Sequence, residues 1–201
     1  MNRHLFFLPG VGGDPDFWRP LGDLLPADWR KTYFGWPGLG DQPADPAINS
    51  YDELVGLVEA RLPEYPVDVL AQSMGGAIAL SLALRHPERI RRLVLAVTSG
   101  GMDMSAFGAA DWRPEYRREY PKTADWIMSE RPDASDRLQD VTQPTLLIWS
   151  DTDPISPIAV GEYLAGRLPN VELHIVRNGQ HDLIHSRATE VSGLIEKHLT
   201  D

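Results

Sequence analysis

The stretch VLAQSMGGAIAL, residues 69–80, decides how this chain is read. An apolar run of Val67, Val69, Leu70 and Ala71 meets a polar pair, Gln72 and Ser73, and two glycines and an alanine-rich stretch follow at once. The pattern is a buried strand, a sharp turn and a helix, with a serine at the tip of the turn. A residue in that place is forced into strained backbone geometry, and the residues two before and two after it pack so closely that they must be small. Ala71 and Gly75 meet that need, and Gly76, Ala77 and Ala79 let the helix lie close to the strand. The turn projects the Ser73 hydroxyl above the strand end, where the helix N-terminus favours nearby negative charge.

Working outward, the same rhythm repeats along the chain. Strands are expected at residues 4–8, 31–34, 67–71, 93–97, 145–149 and 172–176, several of them nearly continuous apolar runs, as parallel strands buried on both faces require. Helical periods alternate with them. Ser50 and Glu53 form a capping box before Leu54, Leu57, Val58 and Leu62. Ser156 reads as an N-cap with Pro157 in the first turn, ahead of Val160, Tyr163, Leu164 and Leu168. Val191, Leu194, Ile195 and Leu199 line the last helix, and the helix read after Gly13 has Pro20 where a backbone donor would be wanted. Such alternation with right-handed crossovers predicts an α/β fold, a mainly parallel sheet of about six strands with helices on both faces. In sheets of this kind ligands sit at the carboxyl ends of the strands.

One interval breaks the rhythm. Residues 102–138 hold no convincing strand but gather Trp112, Tyr116, Tyr120, Trp126, Ile127 and Met128. One or two short helices there would make a small lid inserted into a single domain spanning residues 1–201. Trp112, Tyr116, Trp126 and Met128 are its candidate substrate contacts. The plainer alternative is a surface excursion whose aromatics anchor it to the core.

The bulk composition narrows the function classes. The chain has 201 residues, 19 basic against 29 acidic, a net charge of −10 and no cysteine. An acidic balance disfavours nucleic acid, whose phosphates need a basic face. Without cysteine there is neither a disulfide framework nor a thiolate zinc site. No apolar run reaches membrane-spanning length and no secretory signal stands at the N-terminus, so a cytoplasmic location is expected and no membrane partner.

A serine hydroxyl attacks only when a base takes its proton, so a histidine and an orienting carboxylate should exist. On a strand–turn–helix scaffold they follow in the order acid, then histidine. LLIWSDTDPISP, which ends the fifth strand, offers Asp151 and Asp153, and VRNGQHDL, which ends the sixth, offers His181. Other motifs fail. Gly10, Gly12 and Gly13 would need a glycine where Pro15 stands to make a dinucleotide loop. His181 and His185 are four apart, but no H-E-x-x-H exists, and Asp182 reads as a helix cap.

Taken together, FLPGVGGD, AQSMGG, WSDTDPISP and NGQH resemble the α/β-hydrolase family, in its small-lid, esterase-like form, from about residue 4 to residue 199. The elbow is that family's G-x-S-x-G with alanine at the first glycine. The resemblance implies Asp153 over Asp151 as the acid, through a G-x-x-D-x-x-x-P pattern matched by Ser150, Asp153 and Pro157 with serine replacing glycine. It also implies an oxyanion hole made by the backbone N–H groups of Met74 and Val11, the latter following Pro9-Gly10 where the family has His-Gly. A triad of Ser73, His181 and Asp153 would then cleave a small acyl substrate, an ester, lactone or thioester, through an acyl-enzyme and without a metal or organic cofactor. The same triad also serves C–C bond hydrolysis, acyl transfer or perhydrolysis, and a binding module that has kept the fold is the non-enzymatic alternative.

Overall fold

The computed structural model describes residues 3–130 and 132–201; residues 1 and 2 of the N-terminal reading and residue 131 of the inserted segment lie outside it. Among the described residues six strands form one sheet: β1 (His4–Leu8), β2 (Arg30–Tyr33), β3 (Val67–Gln72), β4 (Ile90–Ala96), β5 (Thr145–Ser150) and β6 (Val171–Val176). Their order is β2-β1-β3-β4-β5-β6 and every pair is parallel. The interior strands β1, β3 and β5 are buried at every position, whereas the edge strand β6 alternates. That is what two covered faces impose on the middle of a sheet and release at its rim.

The strand order dictates where the helices go. From β1 the chain steps one way to β2, then returns past β1 to β3 and continues in that direction. Right-handed crossovers therefore put α1 (Arg19–Gly22) on one face and α2 (Tyr51–Glu59), α3 (Met74–Arg85) and α6 (Ile158–Ala165) on the other. The contacts agree: α2 packs on α3, α3 on β1, β3 and β4, and α6 on β5 and β6. On the opposite face α1 meets α7 (Leu183–Ser186) and α8 (Ala188–Thr200). The reversal leaves a crevice between β1 and β3, at their carboxyl ends, where such sheets bind ligands.

Three buried tryptophans lock the loops that rise from those ends. Trp18 Nε1 donates to the Leu8 carbonyl at 3.0 Å, Trp36 Nε1 to Pro9 at 2.9 Å and Trp149 Nε1 to Ser156 at 3.1 Å. Each indole buries a large apolar area and satisfies its one polar atom. At the opposite, amino end of the sheet the fully buried Asp68 carboxylate is neutralised by Arg3 at 3.2 Å and Arg91 at 2.5 Å.

Several local expectations need correction. Ser156 does not cap α6: Pro157 occupies the N-cap, and the Ser156 hydroxyl instead donates to the Thr98 carbonyl at 3.2 Å. Pro20 does not prevent a helix, because it falls in the first turn of the four-residue α1, where its missing N–H has no partner to lose. The helix begun by the Ser50–Glu53 box ends at Glu59, before Leu62. Asp182 stands at the N-cap of α7, yet its carboxylate takes the Ser186 hydroxyl at 3.2 Å rather than a backbone N–H. Between β4 and β5 the described residues make two 3-10 turns and two short helices, α4 (Arg113–Glu119) and α5 (Trp126–Ser129). Among the described residues no helix is long and apolar enough to cross a membrane.

Candidate active site

Ser73 sits between β3 and α3 with φ 53° and ψ −123°, the left-handed strain that its sequence context predicts. Three bonds hold it there. Its N–H donates to the Ala96 carbonyl at 3.0 Å, and its carbonyl accepts from Gly76 N–H at 3.0 Å and from the Thr98 hydroxyl at 2.6 Å. Gly75 is required by close approach: a Cβ there would come within 2.5 Å of the Pro9 carbonyl oxygen and 2.6 Å of that of Leu8. Beside the elbow, at the end of β4, the buried Val97 also takes a positive φ, 41°.

His181, in the loop after β6, presents Nε2 to Ser73 Oγ at 2.9 Å and Nδ1 to Asp153 Oδ2 at 2.7 Å. The two contacts use both ring nitrogens in line, so a proton leaving Ser73 has an acceptor whose far side is already held by a carboxylate. Asp153 is buried, and its other oxygen, Oδ1, accepts the Ile155 N–H at 2.8 Å. Asp151, the competing acid, is turned away: its Oδ1 accepts the Asn178 N–H at 2.7 Å. The His181 loop is itself tied down, since Gln72 Nε2 donates to the His181 carbonyl at 3.0 Å and both Ser150 and Thr152 donate to the Gly179 carbonyl. His185 is exposed and faces the Phe17 carbonyl at 2.9 Å, away from His181's partners.

The loop after β1 carries Gly10, Val11 and Gly12 to the mouth of the same crevice. Gly13 closes it with an N–H bond to the Gly10 carbonyl at 3.1 Å. Two cavities meet at Ser73 and Val11. The larger, about 410 Å³, lies under the β4–β5 segment and is lined by Met74, Val97, Met102, Trp112, Trp126 and Ile127 among others. The smaller, about 220 Å³, is lined by the Pro9–Asp14 stretch, Phe17, Gln72, His181 and Asp182. Of the four candidate lid contacts, Trp112 and Trp126 line the larger cavity, and Tyr116 and Met128 do not. Tyr116 is buried instead, its hydroxyl on the Val11 carbonyl at 2.9 Å.

A family model described as the alpha/beta hydrolase fold matches residues 3–132 and 129–188 of the chain. The chain belongs to the α/β-hydrolase family. One relative of this hydrolase is the pimeloyl-[acyl-carrier protein] methyl ester esterase of Aromatoleum aromaticum, 30% identical, with 98% of each chain covered. Another is the 2-hydroxy-6-oxononadienedioate/2-hydroxy-6-oxononatrienedioate hydrolase of Cupriavidus pinatubonensis, 26% identical over 86% of this chain and 77% of that one. Among solved structures, a hydrolase from Pseudomonas aeruginosa superposes with a TM-score of 0.78 at 19% identity, covering 100% of this chain and 91% of that one, a likeness of fold. The alignment to the Aromatoleum esterase runs over 251 positions against 201 residues here, so it crosses insertions in that relative. The two stretches matched by the family model overlap at residues 129–132, inside the β4–β5 segment.

Several residues around the hydrolase's crevice were not legible in its sequence. Thr98, whose hydroxyl bonds the Ser73 carbonyl and accepts the Gly100 N–H at 3.1 Å, stands in no motif. Gln72 is part of the elbow string, but its reach to His181 crosses 109 positions. Tyr116 stood out only as one aromatic in a cluster, and no spacing rule connects it to Val11, 105 residues earlier.

Proposed function

We propose that this hydrolase cleaves a small carboxylic ester through a Ser73–His181–Asp153 triad and an acyl-enzyme. The observation that carries the reading is the in-line pair of contacts at His181, 2.9 Å to Ser73 Oγ and 2.7 Å to Asp153 Oδ2. Ser73 Oγ attacks the acyl carbon while His181 Nε2 takes its proton, and the carbonyl oxygen moves onto the amides of Val11 and Met74. His181 then gives the proton to the leaving alcohol oxygen. A water deprotonated by His181 repeats the sequence and releases the acid. Asp153 fixes the histidine tautomer and balances the imidazolium. Amide donors aimed at the developing oxyanion act where water is scarce, and removing one such donor costs about 10²–10³ in rate.

The leaving group must lie within reach of His181. It therefore takes the smaller cavity, which His181 lines, and the acyl group takes the larger one under the β4–β5 segment. That segment, about residues 102–138, is the lid, with Trp112 and Trp126 as its acyl contacts. The relatives named above include a methyl ester esterase and a hydrolase of a 2-hydroxy-6-oxo acid, and the first fits a small leaving group. Stopped-flow release of p-nitrophenol from a short-chain p-nitrophenyl ester, with intact mass of the quenched protein, tests the reading. The expected result is a burst of one equivalent and an acyl adduct on Ser73. Turnover with no adduct, and faster cleavage of a vinylogous 1,5-diketone than of any ester, would place the chemistry at a C–C bond.

A further inference from the structure

We propose that Tyr116 is a positioning residue for the oxyanion donor at Val11, so that a hydroxyl on α4 sets how well the site holds a tetrahedral intermediate. The inference rests on the reading of Ser73 as the nucleophile.

Val11 lies between two peptide planes, and each is held by a different bond. In the plane before it, the Gly10 carbonyl accepts the Gly13 N–H at 3.1 Å. A carbonyl and the following N–H share one rigid plane, so this bond sets the direction of the Val11 N–H. In the plane after it, the Val11 carbonyl accepts the Tyr116 hydroxyl at 2.9 Å. Gly40 packs against the far end of that plane, where a Cβ on it would come within 3.5 Å of Gly12 Cα. A Cβ built on Gly12 meets no atom within 4 Å, so the loop is open on that side. Without the Tyr116 bond, the Val11–Gly12 peptide loses its hydrogen-bonded anchor next to a flexible glycine, and Val11 shares its torsions with the donor plane.

The hydroxyl that does this is itself fixed from several directions. With its own proton on the Val11 carbonyl, it accepts the Gly40 N–H at 2.8 Å and the Thr123 hydroxyl at 2.9 Å. The ring is buried, edge-on to Trp112 at 5.4 Å and tilted against Tyr120 at 5.1 Å. Burial pushes the phenol upward from its ordinary range, which keeps it protonated and able to donate. The loop carrying Gly38 and Gly40 leans on the oxyanion loop as well, through Trp36 N–H to the Gly13 carbonyl at 3.0 Å. Three segments distant in sequence, at 10–13, 36–40 and 116–123, thus meet at one hydroxyl. Its helix, α4, begins beside Trp112 and Arg113, which line the larger cavity. The lid and the oxyanion hole are therefore joined through the Tyr116 hydroxyl.

Tyr116→Phe keeps the ring and removes the oxygen. Rates are counted per site titrated to completion with a phosphonate, so partly unfolded protein does not mimic the effect. The expected result is a fall in kcat of about tenfold, less than the 10²–10³ of a deleted donor, with KM within about twofold. Affinity for an alkyl boronic acid, which forms a tetrahedral anion on the serine, should weaken by the same factor as kcat. Thr123→Val loosens the junction but leaves the bond to Val11, so its kcat should fall by no more than about threefold. The proposal is overturned if kcat per titrated site is unchanged in Tyr116→Phe, if kcat falls while boronate affinity holds, or if the two variants act alike. Absence of any phosphonate adduct on the wild-type protein would instead overturn the reading of Ser73, and this proposal with it.

Discussion

Replacing Asp153 by asparagine puts the orientation of His181 to the test with almost no change in shape. The wild-type carboxylate divides its two oxygens: Oδ1 accepts the Ile155 N–H at 2.8 Å and Oδ2 faces His181 Nδ1 at 2.7 Å. An asparagine has one acceptor and one donor end. The Ile155 N–H needs the acceptor, so the amide NH₂ is left facing His181. Imidazole must then accept at Nδ1 and carry its proton on Nε2, the nitrogen that faces Ser73 Oγ at 2.9 Å. In that tautomer it cannot take the serine's proton. A wrong-tautomer change in a triad of this type lowers kcat by about 10⁴, which is about 5 kcal/mol of transition-state stabilisation. Asp151→Asn is the matched control: Asp151 is exposed and only accepts the Asn178 N–H at 2.7 Å, which an amide oxygen still does. Its kcat/KM should stay within about threefold of wild type. Initial rates on a p-nitrophenyl ester, with both variants checked by near-UV circular dichroism, give the comparison. If Asp153→Asn kept activity within tenfold of wild type, or Asp151→Asn lost more than it, the tautomer argument would be wrong.

Two further outcomes follow from the same geometry. Gly75→Ala drives a methyl group toward the carbonyl oxygens of Pro9 and Leu8, which belong to backbone and cannot swing aside, so urea denaturation should show a loss of about 1–3 kcal/mol and ester turnover should fall with it; unchanged stability would mean that the elbow has slack. His4 is buried against the Thr32 hydroxyl at 2.8 Å, and its pKa is lowered from 6.5 to about 4 by burial and then by Arg30. The unfolded chain therefore binds a proton in a range where the folded protein does not, so the stability from His4 is fully present above 6.5 and is lost as pH falls toward 4. Between pH 7.5 and pH 5 the loss amounts to about 2 kcal/mol, and His4→Gln should remove that part of the pH slope in urea midpoints, whereas an unchanged slope would refute the assignment.

The fold was largely legible because parallel strands buried on both faces leave short apolar runs that no surface element imitates. The runs ending at Leu8, Ala71 and Trp149 are of this kind, and all three strands are wholly buried. The edges were read less sharply. β2 begins one residue earlier than its pattern suggests and stops at Tyr33, because an edge strand has a pairing partner along one side only to fix its ends. Ser156 was misplaced for a different reason. A serine before a proline has the look of an N-cap, but here its hydroxyl has a buried carbonyl to satisfy, that of Thr98 under the elbow, and a tertiary partner outweighs a local preference. The residues of the candidate site were visible where they lie in loops directly after strands, since chain order and residue type then carry the information. Thr98, Gln72 and Tyr116 act on backbone atoms far away in sequence, and a hydroxyl or an amide that holds a carbonyl has no residue-type signature at the other end.

Labelling by a small alkyl fluorophosphonate, read by intact mass on the wild type and on Ser73→Ala, asks whether Ser73 is an activated nucleophile. An activated serine gives one adduct on the wild-type protein, with fluoride as the only group lost from the probe, and none on the folded variant. An adduct that persists in Ser73→Ala, or a folded wild-type protein that takes up no probe at all, would mean that Ser73 is not the nucleophile.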